Sequence, residues 1–106
     1  MSMTRVLFIH SDRRSAKKSF EWTLETLKWL SLNGIFASHS NSQLYIHVGN
    51  VRYEFVATYN LDDHLLGREF DGIIVDELVS LTDDQKVRLK VSNRNKNTRL
   101  GSLDNE

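Results

Sequence analysis

Thr4-Arg5-Val6-Leu7-Phe8-Ile9-His10, followed by Ser11-Asp12-Arg13-Arg14-Ser15-Ala16-Lys17-Lys18-Ser19, is the stretch on which the fold turns. Val6-Leu7-Phe8-Ile9 is an unbroken apolar run bounded by polar residues, the pattern of a short strand buried on both faces. A polar loop over residues 11–16 is expected next, then a helix over residues 16–33. At about 100° per residue, Phe20, Leu24, Leu27 and Ser31 share one helical face, with Leu30 at its edge. Asn33-Gly34 supplies the left-handed terminator that such a helix needs.

A buried strand running into a helix predicts a crossover, so a parallel neighbour is expected further along. Phe70-Asp71-Gly72-Ile73-Ile74-Val75 is the candidate, a second short apolar strand ending at Asp76-Glu77. Between the two strands the apolar period changes to two. Residues 35–37 lead to a turn at Asn41-Ser42, and Leu44, Ile46 and Val48 then alternate with Tyr45 and His47. Gly49-Asn50 is a two-residue hairpin turn, and Val51, Tyr53, Phe55 and Ala57 form the return strand. Residues 60–69 make a polar connection with one helical turn through Leu61, Leu65 and Leu66. Thr82-Asp83-Asp84-Gln85 has the T-x-x-Q form of a capping box, so a short helix begins there. Beyond Val91 apolar content falls away. The expected fold class is therefore α/β, one domain over residues 1–91. It has a small sheet with a parallel strand pair linked by a long crossover helix, plus an antiparallel β-hairpin. Residues 92–106 are expected to form a disordered polar tail.

Composition narrows the functional classes. The 106 residues suit one small domain and are too few for a barrel enzyme or a two-domain dehydrogenase. No cysteine is present, which excludes a disulfide scaffold and any cysteine-built zinc or iron–sulfur site. Apolar runs are too short to span a bilayer, and the first of them is followed at once by charged residues. A cytoplasmic protein with no membrane partner is expected. Fourteen basic and fourteen acidic side chains give zero net charge, so bulk electrostatics do not advertise nucleic acid. The distribution is uneven. Arg13, Arg14, Lys17 and Lys18 cluster at the strand–helix junction, whereas Asp62, Asp63, Glu69, Asp71, Asp76, Glu77, Asp83 and Asp84 crowd the second half.

Two segments have the form of phosphate chemistry. The junction at residues 11–19 occupies the place of a phosphate-binding loop, G-x-x-x-x-G-K-[ST], where backbone N–H groups and a lysine cradle phosphates. In one register Ser11 and Ala16 replace the glycines and Lys17 keeps the lysine. In a second, Asp12 and Lys17 replace them and Lys18-Ser19 keeps the K-S pair. The other segment, an apolar strand ending in Asp76-Glu77, has the form of a Walker B motif. Asp76 would hold magnesium there, and Glu77 would orient the attacking water.

Taken in order, these segments resemble the N-terminal ATPase part of phage terminase large subunits and related helicase-like P-loop NTPases. Those proteins carry an R-R-x-G-K-S-like loop after the first strand, then hairpin strands, then a segment of the form R-G-x-x-F-D-x-x-x-x-D-E. Leu66-Gly67-Arg68-Glu69-Phe70-Asp71-Gly72-Ile73-Ile74-Val75-Asp76-Glu77 is similar to that segment. The resemblance covers residues 5–85 and implies a truncated P-loop-like fold, a phage origin and a host-cytoplasmic location. It also implies a phosphate site at Arg13, Arg14, Lys17, Lys18 and Ser19, with magnesium at Asp76 and Glu77 as catalytic residue. Both loop glycines are missing, so side chains would crowd a bound phosphate. The stretch after Glu77 is shorter than the later strands and coupling motif of such ATPases.

The leading expectation is thus a non-catalytic interaction or regulatory protein on a reduced P-loop-like domain, binding a protein partner or a second copy through the helix over residues 16–33. Trp22 and Trp29 lie opposite that helix's core stripe and are the candidate anchors. No cofactor is expected on this reading. One alternative is a minimal nucleotide-binding or hydrolysing protein that uses ATP and magnesium. Another is a nucleic-acid-binding module that sets Arg13, Arg14, Lys17 and Lys18 against phosphates. His10, His39, His47 and His64 show no i, i+4 metal spacing, and Ser11 and Ser19 lack a histidine partner. Tyr45, Tyr53 and Phe55 read as packing residues before base-stacking ones.

Overall fold

The computed structural model describes residues 3–30 and 37–93. Thr4–His10 (β1) is followed by the helix Arg13–Leu30 (α1), then by the strands Ala37–Ser40 (β2), Tyr45–Val48 (β3) and Val51–Ala57 (β4). A 3-10 turn at Thr58–Asn60 leads into the short helix Leu61–Leu65 (α2), the strand Gly72–Val75 (β5) and the helix Asp83–Ser92 (α3). The five strands form one mixed sheet in the order β2-β3-β4-β1-β5. The chain is a small α/β domain.

The hairpin forms where the period of two predicts it. Gly49 takes φ +59 in the turn between β3 and β4, a conformation costly for residues with a Cβ. The expected parallel partner is also found: Leu7 pairs with Ile73 and Ile9 with Val75. The sheet adds a second parallel pairing, because β4 lies against β1 from Thr4↔Val51 to His10↔Ala57. Parallel neighbours need a connection over one face of the sheet, and α1 supplies it. Among the described residues β4, β1 and β5 therefore run parallel, the β1–β4 pairing being additional to the expected pair.

Each face carries its own half of the core. On one side Ala16, Phe20 and Leu24 of α1 pack on Leu44, Ile46 and Phe55. On the other, Leu61, Leu65, Phe70 and Leu89 cover Leu7, Ile9, Val56 and Ile73. β1 is fully buried on this second face only. Phe8, on the α1 side, is half-buried and stacks on Phe55 with ring centroids 4.8 Å apart.

Helix limits follow from capping. α1 starts at Arg13, three residues before the expected start, because the Asp12 carboxylate accepts the Ser15 N–H at 2.7 Å. The expected Gly34 terminator lies outside the described residues. α3 begins with both capping-box bonds formed between Thr82 and Gln85, as the T-x-x-Q pattern predicts. Packing continues through Ser92 and Asn93, both buried, with Phe70 bridged to Asn93. Residues 94–106 of the expected tail lie outside the described residues. Among the described residues no helix is long and apolar enough to cross a membrane.

Of the two expected anchors, Trp22 is 71% exposed, and the side chain of Trp29 lies outside the described residues. Truncating Phe20 to Ala should cost about 3–5 kcal/mol. Trp22→Ala should stay within about 0.5 kcal/mol of the parent. Urea unfolding followed by circular dichroism distinguishes the two.

Candidate functional site

The carboxyl ends of the three parallel strands bring His10, Ala57 and Val75 to one edge of the sheet, and the sequence-predicted residues fall around it. Only Ser11 and Asp12 separate β1 from α1, so the polar loop expected over residues 11–16 is two residues long. Arg13, Arg14, Ala16, Lys17, Lys18 and Ser19 are all helical. The Ser15 N–H bond is the main reason the Asp12 carboxyl titrates below its ordinary value, slight desolvation opposing it. The chain's own carboxylate thus caps the N-terminus of α1.

The cations of residues 13–18 do not act as one group. Arg13 reaches sideways, its Nη2 donating to the Ser42 carbonyl at 2.8 Å. Arg14, Lys17 and Lys18 are exposed. Ser19 is half-buried, and its carbonyl accepts the Thr23 hydroxyl.

Asp76 stands just past the end of β5, where its N–H donates to the Ile9 carbonyl at 3.0 Å. Its Oδ2 is 3.3 Å from His10 Nδ1, and its Oδ1 accepts the Leu78 N–H at 3.2 Å. Both carboxylate oxygens therefore have protein partners. Glu77 is exposed. Among the described residues no group of three or more His, Asp or Glu is placed to hold a metal ion.

A different group of side chains is gathered on the α2 side of the sheet. Glu54 of β4 is 3% exposed. Its Oε2 accepts Arg5 Nε at 3.0 Å and Arg5 Nη2 at 2.8 Å, and its Oε1 lies 3.0 Å from His64 Nε2. Arg5 comes from β1 and His64 from α2, so three elements meet on one carboxylate. Burial would raise the Glu54 pKa. The His64 and Arg5 hydrogen bonds outweigh it and hold the carboxyl below its ordinary value. This ion pair lines a cleft of about 440 Å³, together with Arg13, Arg52, Arg68, Tyr45, Tyr59 and Asp63. Leu44, also in its wall, holds φ +53, a strained conformation for a residue with a Cβ and one kept in place by its burial.

Sequence reasoning missed Arg5, Arg52 and Glu54 because alternation along β4 puts Glu54 on the outward face. The signal was present: a glutamate between Tyr53 and Phe55-Val56 in a strand with neighbours on both sides must find a cation. His64, which shows no metal spacing in the sequence, is a partner of Glu54.

The chain matches no family model, no curated protein and no solved structure.

Glu54→Gln removes the counter-charge of Arg5 and should destabilise the domain by about 2–3 kcal/mol, less than for a fully buried pair because Arg5 is partly exposed. A carboxyl with a lowered folded pKa stabilises most above its unfolded value, near 4.5. That contribution disappears as pH falls through the folded value. The stability gap between parent and variant should therefore close as pH drops below 4.5, measured as urea midpoints across an acid series.

Proposed function

We propose that this chain is a non-catalytic interaction domain that docks a protein partner along the open edge of β5. The observation carrying this reading is Ile74, in the middle of that strand and 51% exposed. Edge strands present unpaired N–H and C=O groups, and natural proteins blunt them with charge, proline, bulges or short polar strands. The opposite edge follows that rule, since β2 reads Ala-Ser-His-Ser. β5 reads Gly-Ile-Ile-Val, and among the described residues no strand pairs with its outer side.

Ile74 lies in register with Phe8, and Gly72 with Val6. Those partners place Ile74 on the α1 face, where Val6 and Phe8 are half-buried. The result is an apolar shelf beside an unpaired strand, suited to an extended segment that adds a strand and sets apolar side chains on Ile74. The non-catalytic part of the reading is supported by the engagement of Asp76 with His10 and the Leu78 N–H, and by the Asp12 carboxylate capping α1.

A second reading places the partner on the outer face of α1, and the exposure of Trp22 favours it. One comparison separates the two. A partner captured from the source cell by the parent chain should be retained by Trp22→Ala and lost by Ile74→Lys, with both variants melting close to the parent. Amides of β5 should gain hydrogen-exchange protection in the complex. Loss with Trp22→Ala and retention with Ile74→Lys would move the interface to the helix.

A further inference from the structure

We propose that the cleft above Glu54 is a binding site for a phosphate group, made by Arg13, Arg52 and Arg68. Four arginines line this cleft against two carboxylates, Glu54 and Asp63. Arg5 is committed to Glu54 through two hydrogen bonds. Of the other three guanidinium groups, Arg13 and Arg68 are held by neutral carbonyls, whereas Arg52 also stands at ion-pair distance from Glu54. Arg13 donates to the Ser42 carbonyl at 2.8 Å, and Arg68 to the His64 carbonyl at 2.6 Å. Arg52 lies over the Tyr45 ring, 4.0 Å from its centroid. Its Nε is 3.7 Å from Glu54 Oε2, beyond hydrogen-bonding distance, and is buried without a hydrogen-bond partner.

A guanidinium group has five N–H donors in a fixed fork. A carbonyl or an aromatic ring fixes its position while leaving its charge, and most of its donors, to serve another acceptor. Three such forks from α1, β4 and the segment after α2 line one cleft. A tetrahedral phosphate offers oxygens in several directions, which suits forks arriving from separate elements. Glu54 does not oppose such an anion strongly, because Arg5 already balances it and His64 occupies its second oxygen.

The phosphate could belong to a small phosphate ester or to the backbone of a nucleic-acid strand. Tyr59, 67% exposed and lining the same cleft, offers a ring to a base in the second case. Arg14, Lys17 and Lys18 do not line the cleft, so the site shares only Arg13 with the basic cluster of residues 13–18.

Calorimetric titration with inorganic pyrophosphate and, separately, with a short single-stranded oligothymidylate at fixed ionic strength tests this. Arg52→Gln and Arg68→Gln should each weaken binding about tenfold or more. The double variant Lys17→Gln with Lys18→Gln should bind as the parent does. Arg68 is at the surface, so its substitution leaves folding intact and a loss there is read as binding; thermal melts confirm this for both arginines. Pyrophosphate binding lost in the cleft variants identifies a small phosphate ester as the source. Binding of the oligonucleotide alone, again lost in the cleft variants, identifies a strand. Absence of binding by both probes at millimolar concentration overturns the proposal. So does binding that the lysine variants weaken as much as the arginine variants do.

Discussion

The parallel pairing of β1 on both its edges is the constraint on which the rest of the molecule depends. A strand with β4 on one side and β5 on the other forces each connection across a face of the sheet, since parallel neighbours cannot be joined by a tight turn. The first connection carries α1 over one face, and the second carries α2 over the other. Those crossings create the two half-cores. They also bring the ends of β1, β4 and β5 to a single edge, where connections leave toward opposite faces and crevices form in open α/β sheets. The His10–Asp76 contact is a consequence, because His10 ends β1 and Asp76 directly follows β5, the adjacent parallel strand.

Glu54 is the electrostatic counterpart of that arrangement. A carboxylate taken out of water is expensive unless it is paired and hydrogen-bonded. Here Arg5 comes from β1 and His64 from α2, so the carboxylate is satisfied only when β1, β4 and α2 are all in place. Arg5 also lies near Phe70, its guanidinium carbon 5.1 Å from the ring centroid. The pair thus joins the sheet to the segment entering β5, and its backbone helps too: the Arg5 N–H donates to Asp71 Oδ2, and the Asp71 N–H returns a bond to the Arg5 carbonyl. One short stretch of β1 thereby ties the polar cleft to the apolar edge strand.

That division gives the domain two surfaces of opposite chemistry. The α2 side of β4 gathers cations around a buried acid, whereas the edge beyond β1 exposes Ile74 on a strand with no charged residue. Burying apolar area drives protein association, and guanidinium groups with unspent donors recognise oxyanions. Neither surface involves the Asp12–Ser15 cap or the exposed lysines of α1.

Local patterns in the sequence determined the strands at residues 6–9 and 72–75, the Gly49-Asn50 hairpin, the α3 capping box and the Phe20–Leu24 core stripe. Each is fixed by side chains within a few positions of one another, through periodicity, turn geometry or a cap. The start of α1 was also a local matter, but the four cations at residues 13–18 masked it by suggesting a loop, whereas one Asp12 hydrogen bond outweighed their opposition to the helix dipole. Tertiary structure alone decided that β4 lies parallel to β1, which buries β4 on both faces and turns Glu54 from an outward residue into the centre of an ion cluster. It alone joined Arg5, Arg52, Glu54 and His64, because their meeting depends on strand order and on which face α2 crosses, and no spacing along a chain encodes either.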